Sequence, residues 1–304
     1  MTTQRIDFAG YSDCLEIFNK STRLILGPHC GGRVLSYRHN GREALFLDPA
    51  HDGWTWTPGD EEPIDPSGGR ADFGPERKVP SHESLWLGQW EVEGRSPTSA
   101  ELISNTCSSS GIAMRRLFEL DPNGSHVCFS QTLRNVSNES KRLCHWGRTF
   151  GAGGGICVIP LTGDHNYDFI RFDPEGVVRN PDDPNIRVRE GFVEVLGPPQ
   201  SAKLGFDTKT VWFAYAEPND LLFVKRYPVD IRGEYGDVEN MTISLYYPDH
   251  RLCELEPIGP MQTLKPGQET TFSEDWWLLD FPFPNDDHKL NLQTLEALVA
   301  EKTK

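Results

Sequence analysis

Apolar and polar residues alternate along short runs through most of this chain, and each run ends in Gly, Pro, Asn, Asp or Ser. Val127-Cys128-Phe129-Ser130-Gln131-Thr132-Leu133-Arg134 alternates, and Asn135-Val136-Ser137-Asn138 breaks it. A period of two puts one side-chain set on each face of a strand. Runs of this kind at Leu15–Asn19, Arg23–Leu26 and Gly31–Arg38 lead to Asn40-Gly41, a pair that supplies the positive φ of a tight hairpin. Val211–Tyr215 and Leu221–Arg226 are expected to pair across Pro218-Asn219-Asp220. Helical spacing appears only from Leu290 onward, with Leu292, Leu295, Leu298 and Val299 on one face. Many short strands between turn signals specify a sandwich or barrel. The expected fold is all-β: a large antiparallel β-sandwich with a short C-terminal helix. No repeat or linker interrupts the pattern, so residues 1–304 read as a single domain.

Two stretches depart from alternation. Residues 48–82 are rich in Pro, Gly, Asp and Glu and read as a long loop, ordered by Trp54 and Trp56. Residues 173–187 read as a second polar loop. Gly151–Gly155 lacks G-x-x-x-x-G-K-[ST] and no helix follows, so it reads as a turn rather than a nucleotide loop.

Composition excludes several classes of function. The formal net charge is -15, which argues against nucleic acid and anionic membrane partners. No run of about 18 apolar residues is present to span a bilayer. The 7 cysteines are odd in number and show no C-x-x-C spacing, as expected for reduced thiols. With no apolar segment following Met1, the expected location is the cytoplasm. Asp164-His165-Asn166-Tyr167-Asp168 reads as a polar turn rather than a metal site, and there is no G-x-S-x-G. No metal or other cofactor is expected. Nothing in the pattern fixes an oligomeric state.

Two clusters carry chemistry. His145, Trp146 and Arg148 fall together on one predicted strand. They offer a proton donor, a stacking face and a fork of donors, a set suited to a polyhydroxylated ligand. Glu254 and Glu256 lie two apart, so in a strand both point to one face, where burial raises the pKa of one of them.

The order of these features resembles the aldose 1-epimerase, or galactose mutarotase-like, superfamily. The motifs are Leu133-Arg134-Asn135-Val136-Ser137, then His145, then Leu255-Glu256-Pro257, then Leu264-Lys265-Pro266-Gly267. The resemblance departs where Cys144-His145-Trp146-Gly147 stands in place of N-H-x-Y-F-N-L. It implies a galactose mutarotase-like supersandwich and a small-molecule sugar or sugar derivative as substrate. It implies Glu256 as catalytic base, with Glu254 competing for the role, and His145 as acid. Arg77, His82, Trp86, Trp146 and Arg148 are the expected substrate contacts. Two rivals remain at this stage: a carbohydrate-binding protein without catalysis, and a polysaccharide lyase or hydrolase on the same fold.

Overall fold

The computed structural model describes residues 4–59, 64–236, 238–285 and 289–303. Among these, strands form two sheets of 13 and 10, paired antiparallel as the alternation predicts. The apolar faces meet between the sheets. Leu24, Tyr37, Phe73 and Leu255 come from the first sheet; Phe118, Phe129, Phe223 and Trp276 come from the second.

The central strands of the first sheet position everything that follows. In chain order they are β1 (Arg33–His39), β2 (Gly69–Gly74), β3 (Lys141–Ala152), β4 (Ile170–Asp173), β5 (Lys203–Phe206), β6 (Ile243–Asp249) and β7 (Leu252–Pro257). In space they run β1-β2-β3-β7-β6-β5-β4. β1 turns at Asn40 and Gly41, whose φ values of 50° and 81° are those of the expected hairpin. Trp212–Glu217 pairs with Leu221–Arg226 across the expected turn. The helix Leu292–Lys302 is capped by the Asn291 side chain, which accepts from Thr294 N at 3.0 Å. Leu292, Leu295 and Val299 bury its apolar face with Ile156, Leu222 and Trp277 of the second sheet.

The structure differs from expectation in the two polar stretches. The segment 48–82 contains β2, a buried strand between β1 and β3. Its composition hides it: Gly69-Arg70-Ala71-Asp72-Phe73-Gly74 carries two charges and two glycines. The glycines make room for indoles. A Cβ at Gly69 would lie 2.9 Å from the Trp276 ring, and one at Gly74 would lie 2.7 Å from that of Trp146. The opposite sheet also holds β2. Gln131 Nε2 donates to Asp72 O at 2.9 Å, and the buried Arg116 guanidinium donates to Ala71 O. The segment 173–187 likewise forms parts of two short strands, Gly176–Arg179 and Ile186–Arg189.

A fully buried ion pair sits between the sheets. Lys225, from Leu221–Arg226, is fully buried. Its Nζ reaches Glu274 Oε2 at 2.9 Å, Thr149 Oγ1 at 2.9 Å and Leu255 O at 3.1 Å. Glu274 also accepts from Trp276 Nε1 at 2.9 Å. Removing one partner of such a pair strands the other charge in the core, at about 3–5 kcal/mol. Lys225→Met is expected to lower the urea unfolding free energy by that amount. Lys225→Met combined with Glu274→Gln is expected to recover most of the loss. Equal destabilisation of the single and double variants would show that the ion pair is not what the core depends on.

Candidate functional site

The period of two along β3 sends Trp146, Arg148 and Phe150 to the face of the first sheet that points away from the second. On β7 it sends Glu254 and Glu256 to that same face while Leu255 enters the core. β2 contributes Arg70 opposite Arg148, and Asp72 opposite Trp146. The segment Pro80–Trp86 folds over this surface and closes one side. The result is a cleft of two adjoining cavities of about 310 and 350 Å³. Asp65, Glu76, Trp146 and Arg148 line both. The first is completed by Arg70, Asp72, His82 and Trp86, and the second by Arg77, Phe172, Lys203, Tyr246 and Glu254.

The charges are held in pairs. Arg148 Nε donates to Glu254 Oε1 at 2.9 Å. Burial works against ionisation of Glu254, but the charges of Arg148, Lys203 and Arg70 prevail and hold its pKa below the usual carboxylate value. Glu256 is the reverse. Burial and the charge of Glu254 raise its pKa against the pull of Lys203. Lys203 Nζ reaches both Glu256 oxygens, at 2.7 and 2.8 Å, and Trp146 Nε1 donates to Oε2 at 2.7 Å.

His82 pairs with Asp72. Its Nε2 lies 2.8 Å from Asp72 Oδ1, and its Nδ1 lies 2.7 Å from Pro80 O. With an oxygen acceptor at each nitrogen, the ring is an imidazolium. Burial opposes that charge, yet the hydrogen bond and charge of Asp72 push the pKa up to about 9. Asp72, also opposed by burial, is pulled down to about 2 by His82. Arg70 lies over the Trp86 ring, 5.1 Å from its centroid, and donates to Asp65.

By sequence the chain matches no protein-family model and no curated protein. By structure it matches solved proteins over nearly their whole lengths. A galactose mutarotase-like protein from Clostridium acetobutylicum aligns at TM-score 0.64 and 12% identity, covering 91% of this chain and 98% of that one. A galactose mutarotase-like protein from Lactobacillus casei aligns at 0.59 and 11%, covering 88% and 100%. A candidate aldose 1-epimerase from Escherichia coli K12 aligns at 0.63 and 12%, covering 88% and 99%. The chain has the galactose mutarotase-like fold. At these identities the likeness is one of fold.

On this mutarotase-like frame, six of the eight residues singled out in the sequence line one cleft: His82 and Trp86 in its first cavity, Arg77 and Glu254 in its second, and Trp146 and Arg148 in both. Glu256 lies behind the cleft wall, bonded to Trp146 and Lys203. His145 is not brought to the cleft. The alternation that sends Trp146 to the cleft face turns His145 inward, where its ring stacks on Phe272 at 5.7 Å between centroids. Burial pushes its pKa down to about 3, so the ring is neutral at ordinary pH.

Sequence reasoning missed Arg70, Asp72 and Lys203. The first two lie in the segment read as loop. Lys203 reaches Glu256 only through the β5-β6-β7 order, which no local pattern reports.

The His82–Asp72 pair links stability to pH. His82 is raised from 6.5 to about 9, so its contribution is whole below pH 6.5 and is lost as pH rises toward 9. Asp72 is lowered from 3.8 to about 2, so its contribution is whole above pH 3.8 and is lost as pH falls toward 2. Stability should therefore decline by about 3 kcal/mol between pH 6.5 and 9 relative to a His82→Asn variant. NMR titration of the His82 ring should show a midpoint near pH 9. A midpoint at the ordinary histidine value would break the assigned pairing.

Proposed function

We propose that the cleft binds an aldose and interconverts its anomers by acid–base chemistry. One observation carries this reading. A carboxylate held ionised, Glu254, and an imidazolium held protonated, His82, line adjoining cavities whose shared wall is Trp146 and Arg148. Trp86 and Trp146 offer indole surface to the ring face of a sugar.

In this reading Glu254 takes the proton from the anomeric hydroxyl. His82 gives its proton to the ring oxygen as the C1–O5 bond breaks. The open chain rotates about C1–C2, and closure returns both protons to their donors. An acid of pKa about 9 is fully protonated at neutral pH, and the departing alkoxide is far more basic, so the transfer runs downhill. Arg148 steadies the charge on Glu254, and Glu256 holds Lys203 and the Trp146 indole in place behind it.

A second reading also has an observation behind it. Both His82 nitrogens already have protein acceptors, a state that suits binding without turnover. Exchange NMR over a panel of aldoses separates the two. Catalysis requires anomer exchange faster than buffer, reduced about 100-fold or more in Glu254→Gln and in His82→Asn. The buffer-corrected rate should also fall as pH rises through about 9, with deprotonation of His82. Sugar binding without accelerated exchange would sink the epimerase reading and leave a carbohydrate-binding protein.

A further inference from the structure

The acid and base assigned above lie one in each cavity, His82 in the first and Glu254 in the second, on either side of the wall formed by Trp146 and Arg148. The second cavity continues away from this junction along the sheet. Glu254 on β7 lies opposite Tyr246 on β6, and Tyr246 lies opposite Lys203 on β5. The next strand, β4, carries Phe172, which lines the same cavity. Strands in a sheet are spaced 4.7–4.9 Å apart, so the row from Glu254 to β4 spans about 14 Å. That is more length than one sugar ring held at the junction needs.

The chemistry of the extension differs from that of the junction. Lys203 in the middle of the row is drawn down onto Glu256. What stands up on either side is aromatic. Tyr246 is 37% exposed, so its ring is open to a ligand in the cavity that it lines. Phe172 is partly buried and packs at the edge of the cluster that contains Met241 and Trp146. A tyrosine with an apolar face and a polar tip suits a pyranose, and Arg77 adds a donor at the rim of the same cavity.

We propose that this extension is a second sugar subsite. The substrate is then a reducing disaccharide, or the reducing end of a longer oligosaccharide. Its terminal ring sits between His82 and Glu254, and the next ring sits between Tyr246 and Phe172. The proposal rests on the aldose reading of the junction.

The test compares anomer exchange for glucose with maltose and cellobiose, and for galactose with galactobiose. At least one disaccharide should exceed the monosaccharide of its reducing end by about tenfold in kcat/KM, the worth of one aromatic face. Tyr246→Ala and Phe172→Ala should each lower that disaccharide-to-monosaccharide ratio toward one. Calorimetric Kd values for the same sugars with Glu254→Gln should show the same ratio without any turnover. Exchange of monosaccharides with no disaccharide preferred would overturn the subsite and leave the aldose reading standing. Binding of a preferred disaccharide without exchange would do the opposite. Loss of the ratio in neither variant would also remove the subsite.

Discussion

Glu254 and Glu256 are carboxylates with almost no solvent, and the structure around them is the set of partners that makes this tolerable. An unpaired buried charge costs several kcal/mol, so each needs a cation in good geometry. Glu254 has Arg148 from the neighbouring strand, and Glu256 has Lys203 from two strands away and the Trp146 indole. From beneath, Lys225 of the other sheet bonds the carbonyl of Leu255, the residue between them. The strand order β3-β7-β6-β5 is thus also an electrostatic requirement. A one-residue register slip on β7 would turn both glutamates into the apolar core.

In the proposed reading, the same pairing prepares the cleft for chemistry. Fixed charges on buried side chains act more strongly than charges in solvent and need no rearrangement when a ligand arrives. The two glutamates are driven apart in pKa by their partners: burial raises Glu256, while Arg148 keeps Glu254 ionised. The His82–Asp72 pair does the corresponding work for a positive charge on the other side of Trp146. Gly147 shows how little room this leaves. A Cβ there would collide with Glu274 Oε1 and the Pro257 ring, between the buried ion pair and the glutamate strand.

Much of this was legible in the sequence wherever the period of two was undisturbed. Val127–Asn135, the Asn40-Gly41 hairpin and the C-terminal helix all announce themselves by pattern and turn chemistry. β2 did not, because its glycines answer to Trp276 and Trp146 and its backbone to Arg116, all distant in sequence, and its Asp72 to a histidine ten residues on. The same reason hid Arg70 and Asp72. For the glutamates, alternation identified a shared face but could not rank them. Ranking depends on which cation each one meets: Arg148 leaves Glu254 at the cleft surface, and Lys203 with Trp146 covers Glu256. His145 was singled out for its neighbours in sequence, yet adjacent residues on a strand face opposite ways. Trp146 and His145 could not both enter one cleft.

The central claim is that Glu254 faces a bound aldose. A crystal structure of the Glu254→Gln variant soaked with an exchanging aldose tests it most directly. The sugar ring should lie against Trp146, with its anomeric oxygen within hydrogen-bond reach of the residue 254 side chain and its ring oxygen toward His82. A sugar bound elsewhere on the molecule, or one in the cleft with its anomeric carbon turned away from residue 254, would contradict it.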